Sequence, residues 1–294
     1  MTHDVVQCLL EATPELIKAK MASAQVVLGL TPSILATLGT SPQETAMLSV
    51  IARRPLLAGF LAAGSPAVFA LRSFEYARAI GDLHDRNFSS PAFFIRLEPI
   101  IVVLEYLAAA ASIGNIAELC YRLGAQVLTA TFTGNEYTFF LWAFLGFVIH
   151  GLGALALYLR TKVTTLRRDH EGGHKYRHCV NAAFNQFKPM AQQTRLRVVI
   201  LEESLLFFAI YWLTNALAVC HIVYGTILFS GVLFISVDDA VIVIVRLMAS
   251  VMICRVVLTY ELANLRRVVE GIERKTIVED ADAGTAAEGE LAND

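Results

Sequence analysis

Residues 239–260 read DAVIVIVRLMASVMICRVVLTY, a nearly unbroken aliphatic run in which, after Asp239, only Arg246 and Arg255 carry charge. A bilayer core of about 30 Å needs about 20 mostly apolar helical residues, and this stretch meets that requirement, with Asp238 or Asp239 placed to cap its start. Three further stretches meet it: 99–121 (PIIVVLEYLAAAASIGNIAELCY), 138–159 (TFFLWAFLGFVIHGLGALALYL) and 204–226, from Ser204 through LLFFAIYWLTNALAVCHIVYG. Between the last two spans, ILFSGVLFISV (227–237) is too short to cross as a helix and reads as a short tuck buried against protein. Segments 21–39 and 55–71 are apolar but interrupted, by Pro32 in one and Pro66 in the other, with Arg53 and Arg54 between them. They read either as a membrane hairpin or as pieces lying partly in the interface. The expected fold is an all-α, polytopic helical membrane protein of four spans, or six with the hairpin.

The composition of the 294 residues agrees. Hydrophobic residues make up 56% and charged residues 17%, against about 45–50% and about 25% in a soluble domain, and the mean hydropathy is +0.56. There is too little charge to cover a soluble surface or to keep the chain disordered, and the net charge of −2 speaks against a nucleic-acid partner. The five cysteines (Cys8, Cys120, Cys179, Cys220, Cys254) are odd in number and scattered, which is not a disulfide framework. Residues 1–20 carry Asp4, Glu11 and Glu15 and do not read as a signal peptide.

Lys and Arg mark the cytosolic loops. Loop 160–198 holds Arg160, Lys162, Arg167, Arg168, Lys175, Arg177, Lys188, Arg195 and Arg197, whereas 122–137 holds only Arg122 and 223–238 none. Segments 72–98 and 261–275 are basic as well, so all three are placed in the cytosol, along with both termini. Arg53 and Arg54 are the discordant pair, since a crossing hairpin would put them outside. The tail 276–294 has six acidic residues and no basic one and reads as a disordered, solvated segment.

Ionisable groups inside spans are costly and mark either helix fasteners or a polar pathway. The candidates are Glu105, Glu118, Arg246 and Arg255. At about 1.5 Å per residue, Glu105 and Arg255 lie roughly 9 and 8 Å from the cytosolic end, while Glu118 and Arg246 lie about 5 and 10 Å from the other. Depth therefore pairs Glu105 with Arg255 and Glu118 with Arg246. At 100° per residue, however, the two glutamates are about 140° apart and the two arginines about 180°, so one helix–helix contact cannot hold both pairs. Ser112 and Asn115 add a polar stripe between the glutamates, and Ala108 with Ser112 makes a small-xxx-small pair. His150 and His221 read as hydrogen-bonding core residues rather than a proton relay.

His170-Glu171-Gly172-Gly173-His174 fits the H-E-x-x-H pattern, in which two histidines on one helix face hold zinc and the Glu serves as general base. Here the two glycines cost about 2 kcal/mol of helix propensity, and the flanking Arg167, Arg168, Lys175 and Arg177 repel a dication. His170, Glu171 and His174 therefore read as part of a solvated basic loop, with no metal or other cofactor expected.

Two stretches carry a resemblance: 26–79, VVLGLTPSILATLGTSPQETAMLSVIARRPLLAGFLAAGSPAVFALRSFEYARA, and 221–262, HIVYGTILFSGVLFISVDDAVIVIVRLMASVMICRVVLTYEL. Both resemble an uncharacterised family of filamentous-fungal multi-pass integral membrane proteins, with a similarity covering about 20–265. The resemblance implies membrane insertion and a fungal source, and supplies no catalytic residue or ligand. The favoured expectation is a non-enzymatic structural or accessory component, surrounded by the lipid bilayer and open to protein partners through its basic loop or acidic tail. The alternatives are a small transporter or channel using the four intramembrane charges and a membrane metallopeptidase using the HEGGH segment.

Asn87-Phe88-Ser89 is a glycosylation sequon that this orientation keeps in the cytosol. Asn87 is expected to be unmodified, so treatment with an N-glycosidase should leave the electrophoretic mobility unchanged; a shift abolished by Asn87→Gln would reverse the orientation.

Overall fold

The computed structural model describes residues 2–69, 93–129, 137–165, 196–202 and 204–274. Its helices are α1 (Thr2–Ala12), α2 (Glu15–Leu38), α3 (Pro42–Ala46), α4 (Pro55–Gly64), α5 (Phe93–Ala125), α6 (Thr138–Arg160), α7 (Leu205–Ser230) and α8 (Val237–Val268), with a π-helical turn at Met47–Ile51 that continues α3. Among the described residues, five helices are long and apolar enough to cross a membrane: α2, α5, α6, α7 and α8. The protein is a multi-pass helical membrane protein.

The helix ends follow from local chemistry. Ser204 caps α7, its Oγ accepting from Phe207 N–H at 3.1 Å. Ser236, rather than Asp238 or Asp239, caps α8, accepting from Asp239 N–H at 3.1 Å. At Ser41 and Glu44 a complete capping box starts α3, each side chain satisfying the other residue's backbone donor. The stretch 227–237 is not a separate tuck. Ile227–Ser230 finish α7, and 231–236 make a connector whose Leu233 N–H donates to Leu128 O at 2.7 Å, beside a bridge between Thr129 and Val232.

A small sheet joins the helices at the opposite end of the bundle. β1 (Thr161–Thr165) continues α6 directly, β2 (Leu196–Ile200) precedes α7, and β3 (Val269–Arg274) continues α8. β1 pairs antiparallel with β2, and β2 parallel with β3. The sequence reading placed these strands in basic loops, but TKVTT and LRVVI are rich in β-branched residues, which favour a pleated surface.

These two ends orient the chain. Gln25 Nε2 donates to Val232 O at 3.0 Å, so the N-terminal half of α2 lies at the connector end. From there α2 descends to Leu38 and breaks at Gly39–Ser41. α3 and the π turn carry the chain to the sheet end, where Arg53 Nη2 donates to Val163 O at 3.2 Å. α4 then turns back and stops at Gly64, next to Ser112 and Cys254. Just beyond, Val68 bridges to Thr40. Residues 39–69 thus form a re-entrant hairpin. With ten residues, α4 spans about 15 Å, shorter than a crossing needs, which agrees with the second of the two readings of 55–71, a piece that does not cross. It also bears on the discordance of Arg53 and Arg54, since Arg53 sits at the sheet end, beside the strand that carries Lys162.

Since α2 begins at the connector end and α8 finishes at the sheet end, the five long helices start and end at opposite ends of the bundle. Among the described residues the candidate spans number five, where the sequence reading expected four or six. The interior forms two main clusters: Leu48, Ile51, Leu57, Leu157, Leu258 and Leu265 toward the sheet, and Leu28, Leu35, Phe139, Trp142, Phe229 and Leu247 toward the connectors. Leu104, Leu107, Phe144, Trp212, Val241 and Val256 are exposed on the outside, as lipid-facing residues must be.

Glycines allow the closest approaches. A Cβ at Gly153 would stand 2.8 Å from Pro42 Cβ and 3.0 Å from Pro42 O, whereas one at Gly151, on the same helix, meets nothing. Gly153→Val should therefore destabilise the protein by about 1–3 kcal/mol, the usual cost of overpacking, while Gly151→Ala leaves it unchanged or more stable. Thermal exposure of the buried Cys120 and Cys254 thiols in detergent measures both.

Candidate functional site

Among the described residues, the charged groups within the bundle gather in three places. The first is the seam between α5 and α8, which run antiparallel. Arg246 Nη2 lies 2.5 Å from Glu118 Oε2, and Arg122 Nη2 lies 2.5 Å from Glu118 Oε1. Arg246 Nε donates to Asn115 Oδ1 at 2.8 Å, and Asn115 Nδ2 donates to Ser250 Oγ at 2.7 Å and to Arg246 O at 3.0 Å. The polar stripe of α5 is therefore a hydrogen-bonded interface. Ser112 Oγ turns back to donate to Ala108 O at 3.0 Å, and the end of α4 packs against it at Gly64.

The second lies at the break in α2. A helix C-terminus presents unsatisfied carbonyls and partial negative charge, and a helix N-terminus the reverse. Arg255 Nη1 donates to Gly39 O at 3.3 Å, just past the end of α2. The Glu44 carboxylate accepts from Ser41 N–H at 3.0 Å at the start of α3. Arg255 and Glu44 are themselves hydrogen-bonded and ion-paired. One charge answers each new helix end, and the two charges answer each other.

The third is the most buried. Arg54, between the π turn and α4, is 0% exposed and reaches Glu261 of α8 at 2.5 Å and Glu105 of α5 at 3.4 Å, with those carboxylates 2% and 4% exposed. The Tyr106 ring lies 6.0 Å from the guanidinium carbon. One guanidinium faces two carboxylates, among apolar neighbours that include Leu57, Leu61, Leu258 and Leu262.

Glu105 therefore does not meet Arg255, as depth suggested. Each found its partner on the re-entrant hairpin, which is the third element that the angular positions on α5 and α8 demand. Arg54, Glu261 and Glu44 were not singled out from the sequence. Arg54 was visible only as a positive-inside anomaly, Glu261 stood one residue beyond the span boundary, and Glu44 lay in a segment with no assigned depth.

The two histidines are buried in hydrogen-bonded settings. His150 Nδ1 and Thr45 Oγ1 share a bond of 2.8 Å. His221 Nε2–H donates to Trp142 O at 3.1 Å, its ring stacked on the indole at 5.2 Å. His170, Glu171, His174 and Asn87 lie outside the described residues. Among the described residues, no group of three or more His, Cys, Asp or Glu is placed to hold a metal. A recess of about 450 Å³ opens beside α1, lined by Val6, Gln7, Leu10, Glu11 and Lys18, none of which belongs to the three charge clusters. No protein-family model, curated protein or solved structure matches the chain.

Losing Arg255 leaves Gly39 O and Glu44 without their cation. Arg255→Met should cost about 1.5–3 kcal/mol, the range for hydrogen bonds to charged groups. Glu118→Gln, at a half-exposed seam, should cost less and become milder still at high salt. Thermal melts of both variants in one detergent check the order.

Proposed function

We propose that this chain is a non-enzymatic structural or accessory membrane component whose internal charges act as fasteners between helices. The observation that supports this reading is closure: Glu105, Glu118, Arg246 and Arg255 each meet an opposite charge inside the bundle. A permeation path needs polar groups left facing an aqueous route. The lipid bilayer covers the exposed aliphatic faces, and the basic segment 160–198 and acidic tail 276–294 are the places for protein partners. The resemblance to fungal multi-pass proteins fits such a role.

In this reading the sheet end faces the cytosol. Arg53, Arg160, Lys162, Arg197, Arg266, Arg267 and Arg274 lie at that end, and cytosolic flanks are richest in Lys and Arg. The C-terminus stays cytosolic, while α1 and the start of α2 fall on the other side, a revision of the same-side arrangement expected from an even count of spans.

A second reading, a small transporter, draws on the interruption of α2 at Gly39–Ser41 beside the re-entrant hairpin, because broken helices are where transporters place their sites. The outcome of Glu118→Gln separates the two. The fastener reading predicts a lower thermal midpoint and no change in ion flux through proteoliposomes. The transporter reading predicts normal folding and lost flux.

Sidedness has its own test in sealed vesicles with a membrane-impermeant maleimide. Cys8, exposed on α1, and Cys179, in the basic loop, should be labelled from opposite faces. Labelling from one face alone would restore an even number of crossings.

A further inference from the structure

The Arg54 cluster is unbalanced. Among the described residues, its charged and titratable members are Arg54 from the hairpin, Glu105 and Tyr106 from α5, and Glu261 from α8. Two ionised carboxylates against one guanidinium would leave a net charge of −1 enclosed by three side chains no more than 4% exposed. Burying an uncompensated charge costs several kcal/mol even after relaxation.

The hydrogen-bond geometry shows the same shortfall independently. Glu105 Oε2 accepts from Arg54 Nη1 at 3.4 Å. Its other oxygen, Oε1, is buried with no donor against it, and the Glu105 and Glu261 carboxyl groups are neighbours, since both reach the same nitrogen, Arg54 Nη1, at 3.4 and 2.5 Å. Two ionised carboxylates are acceptors only. An acceptor facing an acceptor in a closed apolar site is a contact that lacks a donor, and a buried polar atom left unpaired costs about 1–3 kcal/mol.

We propose that the Arg54–Glu105–Glu261 cluster binds one proton, held between the Glu105 and Glu261 carboxyl groups, as its fourth member. The O–H of one carboxyl donates to the facing oxygen of the other, and the remaining negative charge is balanced by Arg54. The cluster becomes neutral, and Glu105 Oε1 gains its missing partner. Carboxyl pairs that share a site retain a proton for this reason. The proton is what lets the hairpin, α5 and α8 meet in an apolar interior, and its removal would leave a buried charge that the site relieves only by releasing α4. The proposal goes beyond the fastener reading, since a fastener needs ion pairs but no labile ligand.

Infrared spectroscopy of the full-length protein in lipid nanodiscs at neutral pH tests it. The expected result is a carbonyl band of a protonated carboxyl that shifts on transfer to D₂O and disappears in both Glu105→Gln and Glu261→Gln. Glutamine at either position supplies an N–H donor to the remaining carboxylate, which Arg54 then balances. Absence of the band from the unmodified protein, or its persistence in both variants, overturns the proposal. If the variants do not fold, the unmodified protein still decides. Dicyclohexylcarbodiimide, an apolar reagent that reacts with protonated carboxyls, should modify Glu105 or Glu261, as read by peptide mass spectrometry. Modification confined to other acidic residues overturns it. The fastener reading fails on a different result, ion flux lost in a stably folded Glu118→Gln protein, so the two failures are distinguishable.

Discussion

A guanidinium cannot lose its proton inside a protein, so an arginine with no exposed surface needs carboxylates brought to it. Arg54 imposes this constraint on the whole bundle. It sits at the turn of the re-entrant hairpin, and the two glutamates that meet it belong to the fourth turn of α5 and the seventh turn of α8. Pulling Arg54 away from them would leave charge unpaired in an apolar interior, so the hairpin cannot slide or leave without a large penalty. Around this point the antiparallel register of α5 and α8 is fixed, and the same register brings Asn115 to Ser250 and Glu118 to Arg246 further along.

The second organising feature is the break in α2. Interrupting a helix inside a membrane exposes carbonyls on one side and N–H groups on the other, with no water to satisfy them. Here Arg255 answers the first and Glu44 with Ser41 the second. The close approach of Gly39 to Ala67, where a Cβ would fall 2.7 Å from Ala67 Cβ, brings the hairpin's two irregular strands together at Thr40 and Val68. Among the described residues, the irregular backbone at Gly39–Ser41 and Ser65–Val68 is thus buried within protein.

Much of the fold was legible because span length is a blunt requirement. The runs near 99–121, 138–159, 204–226 and 239–260 had to be helices if they were to lie in lipid, and α5 to α8 contain them. The hairpin was not legible. PLLAGFLAAGSPAVFAL has the composition of a span, and only packing against Ser112, Cys254 and Gly146 shows that it stops at Gly64. The site was half legible for the same reason. Reading depth along two helices located Glu118 and Arg246 together, but it could not supply Arg54 or Glu44, whose depth depends on a turn that no periodicity marks. Arg53 and Arg54 did leave a trace, as positive charge on what seemed the wrong side. The strands escaped notice because five residues at each edge of a basic loop look like loop.

The central claim is that Arg54, Glu105 and Glu261 act as one unit holding the hairpin to α5 and α8. Thermal unfolding of two variants in the same detergent tests it directly. Arg54→Met alone should cost about 3–5 kcal/mol, as breaking a buried ion pair does, whereas Arg54→Met with Glu105→Met and Glu261→Met should recover most of that loss, as apolar replacement of a whole buried cluster does. An Arg54→Met protein as stable as the unmodified one, or a triple variant no better than the single, would contradict the account.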